Sequence, residues 1–319
     1  MKPVHKRFFK GLPGLTRWSE HQLLESAWSS VYFWWWQFLR LSPVIWYAKK
    51  NGVRPTDPAI CKVVDECGDL YRQDFAEWWL ATGINLFVET HGIASVKSIA
   101  YDDLKRHFFN PRALYIEIPL TIKKATILKQ FRALLNEAHE GRALDLAATS
   151  RAQWRLHTKR FRLRTIEIEY WALLYKLLAP SVTVWQIGDR LQIAPHLKVR
   201  EVDRRSFPDR FTKLNSLAGR HLYKSRYTLN NAERGLFPNS SKIDVPDDYQ
   251  PFGKKHNADY LQATAGASSA WIRWLRKSHM ESLRDHISSK NSRALGDTSR
   301  AGFEEALVEF IKGKTDQIR

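Results

Sequence analysis

Thr165-Ile-Glu-Ile-Glu-Tyr-Trp-Ala-Leu-Leu-Tyr-Lys-Leu-Leu-Ala-Pro-Ser-Val-Thr-Val-Trp-Gln-Ile-Gly-Asp-Arg-Leu-Gln-Ile193 is the stretch that decides the fold. Ile166, Tyr170, Leu173, Leu174, Leu177 and Leu178 repeat at the spacing of one helical face. Pro180 ends that helix, because its nitrogen carries no donor and its ring clashes with the preceding turn. Thr183 is a good N-cap for a second, shorter helix with Ile187 and Leu191 on its inner side. Ile193-Ala-Pro195 breaks the chain again. Two apolar-faced helices around a tight turn predict a mainly α, multi-helical protein.

The pattern from Thr183 to Leu191, Thr-x-x-x-Ile-Gly-x-x-Leu after a core helix, resembles the opening of a bacterial helix-turn-helix or winged-helix DNA-binding unit. The resemblance covers about residues 165–193 and implies a DNA-binding subdomain. One departure stands out. The motif places a recognition helix after a short turn, whereas Ile193-Ala-Pro-His-Leu-Lys-Val199 intervenes here. An unrelated helical core would give the same two helices.

Charge points to the same region. The 319 residues carry 51 Lys+Arg against 33 Asp+Glu, a formal net charge of +18. Residues 151–234 hold 18 basic and 7 acidic side chains, net +11, with 13 Arg against 5 Lys. An excess concentrated in one segment is what a polyanion-binding surface produces. Arg adds a planar fork suited to phosphates and guanine edges. The candidate nucleic-acid contacts are Arg155, Lys159, Arg160, Arg162, Arg164, Arg190, Lys198, Arg200, Arg204, Arg205, Arg210, Lys213, Arg220, Lys224 and Arg226. A long helix from about Pro208 to Arg234 is predicted, with Phe211, Leu214, Ala218, Leu222 and Leu229 turned inward and most of its cations turned out. DNA is favoured over RNA because the best local pattern is helix-turn-helix-like, and no Lys/Arg-Gly-Phe/Tyr-Gly/Ala-Phe signature occurs.

The chain divides into an aromatic-rich N-terminal segment (1–150), the basic segment (151–234) and a loop followed by C-terminal helices (235–319). In the first, Ser19 with Gln22 reads as a capping box opening a helix toward Leu41. Ser42-Pro43 and Asp57-Pro58 each read as a cap followed by Pro at the first helical position. Tyr71, Phe75, Trp78 and Trp79 share a helix face that Gly83 would close. Ile84–Val88 and Leu114–Ile118 are strand candidates, with a helix over Tyr101–Phe109 between them; Thr121 caps an amphipathic helix with Ile122, Ala125, Leu128, Phe131, Leu135 and Ala138 on one face, ending at Gly141. In the last segment, helices are predicted from about Ser268 and around Phe303, Leu307, Phe310 and Ile311, joined by a polar stretch over Ser288–Ser299.

Trp34-Trp35-Trp36 cannot form one stacking platform, because successive helical residues point about 100° apart. Core packing is expected, with a protein partner or self-association through the Trp-rich region as the other use. The apolar run Val31–Leu39 is too short to span a bilayer, which takes roughly 20 residues. With no apolar core behind the basic N-terminus, no signal peptide, no membrane association and a cytoplasmic location are expected.

No phosphate loop, Gly-x-Gly-x-x-Gly, Gly-x-Ser-x-Gly or His-Glu-x-x-His occurs. Cys61 and Cys67 lack a second pair and read as inert thiols. No cofactor, metal or catalytic residue is assigned, and a non-catalytic DNA-binding protein is the leading reading. A metal-dependent nuclease is the alternative, since Asp65, Glu66, Asp69 and Asp74, or Asp102 and Glu117 with Lys123, imitate a carboxylate site. An adaptor subunit of a ribonucleoprotein or protein assembly is the third. His157, His196 and His221 lie within the basic segment and read as exposed polar residues.

Overall fold

The computed structural model describes residues 27, 29–89, 116, 118–119, 121–138, 150, 152–158, 161–191, 193–197, 206–246 and 249–279. It is mainly helical. Helix α1 (Val31–Arg40) starts at Ser30, whose hydroxyl accepts from the Tyr32 amide, and not from the Ser19 box, which lies outside the described residues. Helix α2 (Pro43–Asn51) has the predicted Ser42 cap, with Oγ accepting from Ile45 N–H at 2.9 Å. Gly52 ends it at φ 65, a left-handed conformation that costs glycine little. Asp57 caps α3 (Pro58–Glu66) in the same way.

Helix α4 (Phe75–Trp78) opens on a reciprocal Asp74–Glu77 capping box. It does not stop at Gly83. The chain continues through a π-helical turn, Trp79–Gly83, into α5 (Ile84–Phe87). This overturns the strand expected over Ile84–Val88. A Cβ on Gly83 would lie 2.6 Å from the Trp79 ring and 2.8 Å from Trp78. Glycine is therefore there for close approach, not to end the helix. The other strand candidate, Leu114–Ile118, lies largely outside the described residues, as do Tyr101–Phe109 and everything beyond 279. Among the described residues β-structure amounts to isolated bridging, as between Leu156 and Phe237.

Helix α6 (Lys124–Ala138) has the predicted amphipathic pattern, but it begins at Lys124 and not directly behind Thr121, and Leu128, Leu134 and Leu135 are exposed. Helices α7 (Leu163–Leu178), α8 (Val184–Arg190) and α9 (Pro208–Ala232) match the periodicity reading. Thr183 caps α8, and the Gln186 side chain accepts from its amide at 3.0 Å. Beyond α9 come α10 (Lys254–Thr264), which sequence periodicity missed, and a helix over 270–279.

One apolar cluster joins residues from 27–87, 154–191 and 229–275. Its centre is α1, with Val31 to Trp36, Phe38 and Leu39 all buried. The three tryptophans diverge as helical geometry requires. Trp34 meets Tyr170 of α7, Trp35 meets Phe87, Trp154 and Phe237, and Trp36 meets Phe75 and Trp78. Ring centroids in these contacts lie 5.1–6.3 Å apart, within the range where tilted and edge-to-face pairs are favourable. Trp34–Trp36 are thus spent on the chain's own interior.

Helices α7, α8 and α9 pack on one another, and α9 also reaches α1. Gly188 lets α8 close on α9, since a Cβ there would lie 2.9 Å from Ala218 Cβ and 3.0 Å from Leu214 Cδ1. Gly188→Ala should lower unfolding stability by about 1–3 kcal/mol through overpacking. Gly219→Ala, on α9 itself, meets nothing closer than Val184 Cγ1 at 3.9 Å and should raise stability by about 0.5–1 kcal/mol. Urea midpoints of the two variants test both signs.

Candidate nucleic-acid interface

Helix α9 spans 25 residues, about 37 Å at the α-helical rise. Phe211, Leu214, Ala218, Leu222, Ser225, Leu229 and Ala232 are buried on one side. The opposite side is solvent-facing. Lys213, Ser216, Arg220, Tyr223, Lys224 and Tyr227 fall in an arc of about 100° there, all exposed except the partly covered Tyr227. Arg210 and Arg226 flank the arc and are exposed. None of Arg210, Lys213, Arg220, Lys224 and Arg226 makes an ion pair among the described residues. Arg210 instead lies 4.7 Å over the Phe207 ring.

The helix carrying these cations is held at several points. Thr228 donates to Glu169 of α7 at 3.0 Å. The Ser42 hydroxyl donates to Glu233 at 2.5 Å, tying the end of α9 to the cap of α2. Arg234 pairs with Asp57, the cap of α3, at 2.9 Å. Asn231 donates to the Ser241 carbonyl at 2.9 Å and accepts from Asn239 at 3.2 Å, so the following loop covers this end and closes the exposed arc after Tyr227.

The other predicted contacts distribute as follows. Arg155 and Arg162 are exposed. Arg164 is ion-paired with Glu167 at 3.2 Å and also reaches the Leu191 carbonyl at 3.5 Å. That places the start of α7 beside the end of α8, where Arg190 stands. Lys159, Arg160, Lys198, Arg200, Arg204 and Arg205 lie outside the described residues. His157 and His196 are exposed; His221 is half-buried, and burial lowers its pKa. Between α8 and α9 lie residues 191–207, including a 3-10 turn at Pro195–Leu197, in place of a short motif turn.

Asp65, Glu66, Asp69 and Asp74, four of the carboxylates considered for a nuclease, serve the fold. Asp65 pairs with Arg54, and Glu66 accepts from the Trp154 indole at 2.7 Å. Asp69 accepts from the Tyr71 and Arg72 amides, and Asp74 caps α4. Asp102 and Glu117 lie outside the described residues, and no cluster of metal-ligating side chains occurs among those described. Cys67 is buried, its thiol pushed up to about 11 by desolvation. Cys61 donates to the Pro55 carbonyl.

Sequence reasoning missed the buried polar groups. The partly buried Arg40 guanidinium lies 4.4 and 5.8 Å from the Trp36 and Trp274 ring centroids and donates to Ser278. This ties α1 to the helix over 270–279. Burial also drives the neighbouring His279 down to about 3, helped by the Arg40 charge. Glu169 and Glu233 are pushed up to about 7 by burial, against the hydrogen bonds from Thr228 and Ser42. Their only advance signal was a carboxylate at a core-facing helical position.

No family model matches the chain, and no curated protein or solved structure shows a significant match to it. No helix among the described residues is long and apolar enough to cross a membrane.

The two glutamates carry a pH signature. Each keeps its proton to higher pH in the folded chain than in the unfolded one, so the folded state binds more protons between the ordinary carboxylate range and about pH 7. That contribution is full at low pH and is lost as pH rises through about 7. His279 titrates in the opposite sense, so the clean measurement is a difference. Glu233→Gln should gain stability relative to the parent as pH rises from 5 to 8, read from urea midpoints across that range.

Proposed function

We propose that this protein binds nucleic acid through the exposed face of α9. The observation that carries this reading is a row of exposed cations without ion-pair partners among the described residues, on a helix fixed to the core along its other side. Free surface cations on a flexible segment cost side-chain and backbone entropy when they bind. Here the backbone cost is already met by folding. Phosphate neutralisation releases counterions and gives affinity without base recognition.

DNA is the favoured form. The support is the helix-turn-helix resemblance of residues 165–193 together with three mutually packed helices, α7, α8 and α9. On this reading α9 takes the place of the recognition helix, entered through a longer connection than the motif has. Its length is ample to follow a major groove, which admits an α-helix. The role is that of a non-catalytic binder in a regulatory or nucleoprotein setting.

Binding to a short DNA duplex, followed by fluorescence anisotropy over a salt series, tests the proposal. If about six cations meet phosphates, the slope of log affinity against log salt should be roughly −5. Replacing Arg210, Lys213, Arg220 and Lys224 together by Gln should make that slope shallower by about 0.9 for each phosphate no longer neutralised. An unchanged slope and affinity would sink the interface assigned to α9.

A further inference from the structure

The exposed arc of α9 is not purely cationic. Tyr223 and Tyr227 sit four residues apart on it, with ring centroids 4.8 Å apart at 74°. Their hydroxyls are hydrogen-bonded at 2.9 Å. Tyr223 is 57% exposed, more than any other large apolar or aromatic side chain described, while Tyr227 is partly covered. Tyr227 therefore braces Tyr223 at both edge and hydroxyl, and the Tyr223 ring is presented to solvent in a fixed attitude.

Cations surround this ring. Arg220 precedes it by three residues, one helical turn away on the same face. Lys224 follows directly, and Arg226 flanks it on the other side. A lone exposed tyrosine needs no explanation. A braced one, set among cations that make no ion pairs with the described residues, has the composition of a single-strand site: cations follow the phosphates while an aromatic face takes an unpaired base. A duplex does not offer that base face, because its bases are stacked on one another.

We infer that Tyr223, held by Tyr227, is a stacking platform for an unpaired base, and that the α9 face engages single-stranded nucleic acid as well as duplex phosphates. This rests on the nucleic-acid reading of α9 and names the form of nucleic acid it takes. Tyr223 reads no sequence, since every base has a π-face; Arg220, Lys224 and Arg226 supply the phosphate contacts on either side of it. A polyacidic segment would satisfy the cations and offers the ring no flat base to stack on.

The test compares three labelled probes of equal length: an oligo-dT strand, the same strand with abasic sites in place of its central bases, and a dT·dA duplex. The parent should bind oligo-dT about tenfold more tightly than the abasic strand. Tyr223→Ala should erase that difference and leave duplex affinity within about twofold, whereas Tyr223→Trp should preserve it. Tyr227→Phe, which keeps the ring and removes the hydroxyl bond, should fall between. Tyr223 is exposed, so folding of these variants is checked simply by circular dichroism. Equal parent affinity for oligo-dT and the abasic strand, with duplex binding intact, overturns the stacking platform and leaves the α9 phosphate interface standing. Failure of the parent to bind any of the three probes overturns both. Competition by polyglutamate as effective as by oligo-dT overturns the platform in favour of an acidic protein partner.

Discussion

Helix α1 shows little to water, with Gln37 and Arg40 alone partly exposed. Val31 to Trp36, Phe38 and Leu39 are buried around its whole circumference, so the rest of the chain must surround it. Burying a ring of this size removes some 150–250 Å² from solvent, a driving force large enough to gather segments far apart in sequence. Trp35 is covered by Phe87, Trp154 and Phe237; Trp34 by Tyr170; Trp36 by Phe75 and Trp78. The remaining helices take their positions from that demand.

Helix α9 inherits its polarity from the same arrangement. Its apolar side is taken by α7, α8 and α1, which leaves its cations facing outward. Buried polar links then set its placement: Thr228 to Glu169, Ser42 to Glu233, and Arg234 to Asp57. Such links cost desolvation, visible in the raised pKa values of both glutamates. In return they make the geometry specific, because a wrongly seated helix would leave a polar group buried without a partner. A rigid basic helix and a desolvated carboxylate network are thus two sides of one structural solution.

Helix starts were legible where capping is local. Ser42-Pro43, Asp57-Pro58 and Thr183 satisfy amides within three residues of themselves, so no distant contact is needed to recognise them. Gly83 was misread because the sequence shows a glycine but not its neighbours. Two indole rings occupy the space a Cβ would need there, and the helical path continues through it. The amphipathic pattern of α6 showed a face but could not show whether anything covers it. The candidate interface is legible in the same partial way: the Arg-rich segment shows in the composition, while nothing local distinguishes Tyr223 from the other tyrosines.

By itself the sequence determined the helical class, the concentration of +11 charge in residues 151–234, and the inward face of α9. Each follows from composition or short-range periodicity, which act within a few turns of chain. Only the tertiary structure decided which of the described cations stand clear of ion pairs, which carboxylates are buried, and which aromatic ring is held out to solvent. Those properties depend on what lies across the core. Arg164 meets Glu167 nearby, but Glu233 meets Ser42 from nearly two hundred residues away, and no local pattern can encode a neighbour that distant.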